Sequence, residues 1–236
     1  MIAFNNVNMR YNDVVIMDDF CEEFAEHKIN CILGPSGCGK TTLLNLICGI
    51  IKENSGQISK HEMVSYVFQE ESLIPQKTAR KNLELVLKSV YADKNELRSV
   101  IDKFLKISNL EKASELYPHE MSGGMRQRLA LIRAFAYPSD VLLMDEPFKT
   151  LDVTLKNSII ESFLSLYDED RRTVVFVTHD IDEALLTGDY IYVYGNKPLR
   201  LLRKFALDGD KNERKLYADD LIKIKQEIYK ETEQWH

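Results

Sequence analysis

The sequence predicts an α/β fold: a parallel sheet covered by helices on both faces, with an all-helical segment inserted into it. Three observations point there. Short, nearly continuous apolar runs at 29–33 (INCIL), 141–145 (VLLMD), 173–178 (TVVFVT) and 190–194 (YIYVY) read as strands buried on both faces. Segments with helical periodicity separate the later strands, as parallel connections require. Between 78 and 136 the strand signal stops and the helical period takes over.

The chain opens on 2–8, where Ile2, Phe4 and, less cleanly, Val7 fall on one side of a strand, and 14–25 continues in short apolar pieces. Run 29–33 stops at Gly34, so a buried strand enters a Gly-rich turn. Residues 40–51 then read as a helix that contains Gly49, and 64–68 (VSYVF) as a strand ending at Gln69. In the helical insertion, Leu97, Val100, Ile101, Phe104 and Leu105 recur at helical spacing, and a further helix covers 124–137. After strand 141–145, helix 153–167 places Leu155, Ile159, Phe163 and Leu166 on one face, and a short helix at 180–187 follows strand 173–178. The charged tail 211–234 reads as a helix with Leu221, Ile224 and Ile228 as its apolar seam.

The 236 residues suit one domain of this kind. The expected division is an α/β core from 1–77 and 137–205, a helical subdomain at 78–136 and a C-terminal helical tail at 206–236. The formal net charge of −6 argues against a nucleic-acid partner, because phosphate backbones favour basic surfaces. Cys21, Cys31, Cys38 and Cys48 fit no zinc spacing and read as free thiols in a reducing compartment. The N-terminus lacks an apolar signal core, and nothing approaches the roughly 18 apolar residues of a membrane span. A cytoplasmic protein is the expectation.

Two motifs carry chemistry. Gly34-Pro35-Ser36-Gly37-Cys38-Gly39-Lys40-Thr41 fits G-x-x-x-x-G-K-[ST] between a strand and a helix, with Thr42 following. Glycines let successive backbone N–H groups point at one anion, and the following helix presents its positive end to the same anion. Lys40 adds a full charge for the outer phosphates, and the Thr41 hydroxyl can ligate Mg²⁺. The second motif is Asp145-Glu146, two acids closing the apolar strand VLLMD. Two adjacent carboxylates at a buried strand end are costly unless cations or a reaction use them. Asp145 is the metal-side residue and Glu146 the candidate base that polarises an attacking water. ATP and Mg²⁺ are the ligands this pairing predicts.

Upstream of the acidic strand stands Met121-Ser122-Gly123-Gly124-Met125-Arg126-Gln127-Arg128. This stretch resembles the signature motif of ABC ATPases, usually LSGGQ followed by a basic helix. A Ser hydroxyl, Gly amides and a helix N-terminus make a second anion site, so one chain carries two phosphate-binding surfaces. The resemblance spans about 1–205 and implies a P-loop NTPase fold with an N-terminal antiparallel β subdomain beside the parallel core and an inserted α-helical subdomain. It also implies a head-to-tail dimer, with each nucleotide held between one chain's P-loop (34–42) and the other's Ser122, Gly123 and Gly124. Further roles follow from the resemblance. Tyr11 stacks on adenine, and Gln69 senses Mg²⁺, water and the membrane partner. Asp152 bridges the dimer, and His179 contacts the γ-phosphate. Bland readings stand beside them: a surface aromatic for Tyr11, a strand-end polar group for Gln69, an N-cap of helix 153–167 for Asp152 and a structural histidine for His179.

The form SGGMRQR and the run Asp145-Glu146-Pro147-Phe148 look like the importer ATPases for nitrate, sulfonates, taurine, bicarbonate and thiamine precursors, although Lys149 and Thr150 replace small residues common there. The implied partners are a second copy, a transmembrane permease on the inner face of the cell membrane and an extracytoplasmic solute-binding protein. A soluble ABC ATPase without a transport role is the alternative. Such proteins usually join two cassettes or carry long coiled-coil insertions, and this chain shows neither.

Overall fold

The computed structural model describes residues 1–59, 63–149 and 153–235. Strands β1 (Ile2–Tyr11), β2 (Val14–Phe24) and β4 (Ser55–Ile58) form an antiparallel sheet ordered β2-β1-β4. The second sheet, with β3 (Ile29–Leu33), β5 (Val64–Val67), β6 (Val141–Asp145), β7 (Thr173–Thr178), β8 (Tyr190–Tyr194) and β9 (Leu201–Ala206), runs in the order β5-β6-β7-β3-β8-β9. Its first five strands are parallel and β9 closes the edge antiparallel to β8. The parallel sheet is therefore as expected, with an antiparallel edge in addition.

The helices are α1 (Lys40–Ile47), α2 (Ala79–Leu87), α3 (Lys94–Ile107), α4 (Gly123–Ala136), α5 (Val153–Glu169), α6 (Ile181–Thr187) and α7 (Asp219–Thr232). Their starts are chemically marked. Thr78 accepts from Lys81 N, Asp93 from Asn95 N and Glu96 N, and Ser122 from Met125 N, each satisfying amides that a helix leaves unpaired in its first turn.

Alternation along the central strands sends their side chains to two cores. Ile29, Cys31 and Leu33, with Leu142, Met144, Val174 and Phe176, face one that holds α2 to α6 residues such as Leu83, Leu105, Leu131, Phe163 and Leu185. Ile32, Leu143, Val175 and Val177 face the other, with α1 and the antiparallel sheet through Leu43, Leu44, Phe4, Met17 and Phe24.

Several boundaries differ from the sequence reading. The helix read over 40–51 stops at Ile47, because Gly49 takes φ 71°, a left-handed conformation open to glycine. The strand read over 64–68 ends at Val67, so Gln69 lies beyond it in a bend. The tail helix starts at Asp219 rather than 211. Before it, Arg214 donates to the carbonyls of Leu185 and Gly188 at the end of α6. Strands β4 and β9 were absent from the sequence reading.

Candidate nucleotide site

Strand β3 delivers the chain at Gly34 into a loop that ends at the first residue of α1, Lys40. Gly37 and Gly39 hold φ of 78° and 121°, and a Cβ on Gly39 would meet Ile16 Cγ2 at 2.6 Å. The loop therefore requires glycine at these points. Lys40 Nζ donates to the carbonyls of Gly34 at 2.8 Å and Pro35 at 2.9 Å, leaving its third proton for an anion. Ser36, Gly37, Gly39, Lys40, Thr41 and Thr42 line a cleft of about 350 Å³ that Tyr11, Ile16, Glu146, Lys149 and Lys197 complete. Tyr11, at the end of β1, is 46% exposed at its rim.

The predicted metal pair is brought together. Thr41 Oγ1 donates to Asp145 Oδ2 at 2.9 Å across 104 residues of sequence. Burial pushes the Asp145 carboxyl above its ordinary range and the neighbouring Glu146 charge adds to this, while Thr41, Lys40 and the Tyr66 hydroxyl oppose the shift. A hydroxyl and a carboxylate in contact are hard oxygen donors of the kind that Mg²⁺ takes, so the residues present fit that ion. Tyr66, on β5, was missed in the sequence. Its strand pairs with β6, which brings its ring to the buried acid, where burial and Asp145 both raise the phenol's pKa.

Glu146 follows β6 with φ 45°, and its N–H donates to Val177 O at 2.9 Å. The left-handed backbone ends the strand at this residue. Glu146 Oε2 lies 2.6 Å from Lys149 Nζ and 3.4 Å from His179 Nδ1. Burial alone would raise its pKa, but the contact with Lys149 and the charge of His179 hold it below the ordinary carboxylate range. His179 itself is half exposed at the end of β7. The following turn is locked: Asp180 caps α6, and Lys156 bridges Asp180 and the buried Glu183, each at 2.7 Å.

The other residues named from sequence lie elsewhere. Gln69 is exposed and outside the lining of the cleft. Ser122 is exposed at the start of α4, with the amides of Gly123 and Gly124 in that helix's unpaired first turn. A Cβ on Gly124 would meet Leu155 at 2.3 Å, whereas one on Gly123 would stand 3.8 Å from Arg126. None of Ser122, Gly123 and Gly124 lines the cleft. Helix α4 reaches toward the site from two places: Gln127 Nε2 donates to Pro147 O beside Glu146, while Arg126 pairs with Glu71 at 3.3 Å and Arg133 donates to the Glu71 and Ser72 carbonyls. Asp152 lies outside the described residues.

Residues 17–149 match the family described as ABC transporter. The chain belongs to the ABC transporter family. Two relatives span most of it. The nitrate import ATP-binding protein NrtD of Synechococcus elongatus is 38% identical, over 78% of this chain and 71% of its own length. The taurine import ATP-binding protein TauB of Rhizobium johnstonii is 36% identical, over 84% and 79%. Among solved structures, the dimer of the ABC transporter cassette MJ0796 superposes with a TM-score of 0.76 at 30% identity, covering 89% of this chain and all of that one. The same cassette in a post-hydrolysis state with ADP and Pi gives a TM-score of 0.75. This protein is thus an ATP-binding subunit of an ABC transporter and an ATPase. Among the described residues, no helix is long and apolar enough to cross a membrane.

Proposed function

We infer that this ABC subunit powers uptake of a small solute by closing head-to-tail with a second copy around two ATP molecules. The observation that carries the reading is the separation of two anion-binding surfaces. Ser36, Gly37, Gly39, Lys40, Thr41 and Thr42 line a cleft, while Ser122, Gly123 and Gly124 stand outside it. A second copy would bring its signature to that cleft, and the dimeric state of the MJ0796 cassette supports such an arrangement.

Within each site, Lys40 and the loop amides hold the phosphates and Tyr11 stacks on the base. Thr41, Asp145 and Gln69 would hold Mg²⁺, and Asp152 bridges the copies. A bound Mg²⁺ supplies positive charge to the β- and γ-phosphate oxygens. Glu146 orients the attacking water, and His179 and Lys40 stabilise charge developing on the γ-phosphate. On this reading the chain divides into an α/β core (1–77 and 137–205), a helical subdomain (78–136) and a tail (206–236).

Relatives named for nitrate and taurine import support an importer of that branch, taking nitrate, sulfonate, taurine or thiamine-precursor solutes. The partners are then a permease, which holds the subunit at the inner face of the membrane, and an extracytoplasmic solute-binding protein. The test is ATP hydrolysis by Ser122→Arg assembled with the permease. Loss of turnover with ATP binding retained is the expected result, and turnover at the unaltered rate would overturn the shared-site reading.

A further inference from the structure

The Glu146 carboxylate already has an occupant. Lys149 Nζ stands 2.6 Å from Oε2, the same oxygen that faces His179. The contact spans one tight turn, in which Lys149 N–H donates to Glu146 O at 3.2 Å and Glu146 holds its left-handed φ. The turn is anchored from beneath. Phe148 is fully buried, with ring contacts to Phe163 and Phe176, and Gln127 grips the Pro147 carbonyl. The backbone beneath the pair is therefore fixed, while the Lys149 side chain is 39% exposed and lines the nucleotide cleft. Oε2 is buried and makes no hydrogen bond of good geometry, so what holds it is the charge of the Lys149 ammonium beside it, and a water that is to bond this oxygen must compete with that charge.

We propose that Lys149 is a latch on the hydrolytic base: a positioning residue whose ion pair with Glu146 Oε2 holds the carboxylate at rest and must open before Glu146 can orient water. This rests on the reading of Glu146 as that base. The latch sits at a telling place in the chain. Lys149 directly precedes 150–152, the stretch ending at Asp152, which is read as the bridge between the two copies. Approach of a second copy then acts on the segment that carries the latch, so that the base is released where a complete site exists. Where two copies meet only transiently, as they do without permease, the ion pair is not fully opened and limits idle hydrolysis.

The experiment compares steady-state ATP hydrolysis by the full-length protein with that of Lys149→Ala, Lys149→Met, Lys149→Arg and Glu146→Gln, each without permease. With the latch removed, kcat for Lys149→Ala and Lys149→Met rises about fivefold, the scale of one half-exposed ion pair. KM for ATP stays constant, which also shows that the variants are folded, and Lys149→Arg restores the low rate. An unchanged or lower kcat overturns the latch. A KM raised several-fold at constant kcat also overturns it, because Lys149 would then be a phosphate contact. Turnover by Glu146→Gln at the unaltered rate removes the underlying assignment and the latch with it. An inactive Glu146→Gln beside an unchanged Lys149→Ala removes the latch alone.

Discussion

The phosphate cleft and the signature surface are both built from glycines and a helix N-terminus, yet they differ in how much of their chemistry the single chain completes. In the cleft, Lys40 is tied to the loop, Thr41 to Asp145 and Glu146 to Lys149 and His179. At the signature surface, Ser122 is exposed and caps only its own helix, and the following two amides lie in that helix's unpaired first turn. The first region is pre-organised and the second is waiting. Assembly, more than local folding, is therefore what separates nucleotide binding from turnover in the function proposed here.

The contrast can be broken in stages. Glu146→Gln is expected to cost about 10²-fold or more in phosphate release, the scale of losing a general base, while nucleotide retention on a filter persists. Turnover near the unaltered rate would remove the cleft's claim to the chemistry. Ser122→Arg is expected to lower hydrolysis by about 10²-fold through lost stabilisation of the transferring phosphate, with fluorescent ATP still bound. Mixing Ser122→Arg with Lys40→Ala should then restore part of the rate, because a mixed pair contains one intact composite site. No recovery in the mixture would place both surfaces in the same chain's site.

Two smaller effects sharpen the comparison. Gly124→Ala should lower stability in urea unfolding by about 1–3 kcal/mol, since the added methyl would meet Leu155 Cδ1 at 2.3 Å and its Cγ at 3.1 Å and that side chain must shift. Gly123→Ala should stay within about 0.5 kcal/mol of the parent in the same assay, which separates the structural glycine from the one facing outward. Tyr66→Phe removes one hydrogen-bonding hydroxyl from Asp145 and should shift the Mg²⁺ concentration for half-maximal nucleotide binding by about fivefold or less. An unchanged Mg²⁺ dependence would leave Tyr66 as a packing residue.

The parallel core was legible because its strands are apolar on both faces and its loops carry motif residues at fixed places. Ser55–Ile58 and Leu201–Ala206 escaped notice for a physical reason: both are edge strands, partly solvated, with no buried alternation to mark them. Gly49 was read into α1 because apolar spacing continues past the residue whose backbone ends the helix. Of the motif residues, Thr41 touches Asp145, His179 faces Glu146, and the Lys40 charge acts on both acids. Tyr66 and Lys197 reach the site only through strand pairing and the β8–β9 connection, which leave no local signature. Lys149 was visible as an unusual residue, but its contact with Glu146 depends on a left-handed turn that residue types alone do not announce.

The alternation of β3, β6 and β7 between two cores has a consequence for anyone who would pare the protein down. Each of these strands is a party wall, with helices α2 to α6 leaning on one side and α1 with the antiparallel sheet on the other. Excising 79–136 would strip the α2, α3 and α4 side chains from the core that also holds Leu142, Met144, Val174 and Phe176, on the very strands that lead to Asp145 and His179. The segment is an interruption in the sequence but a foundation in the solid, and a minimal phosphate-binding fragment cut at its borders would arrive with half its masonry missing.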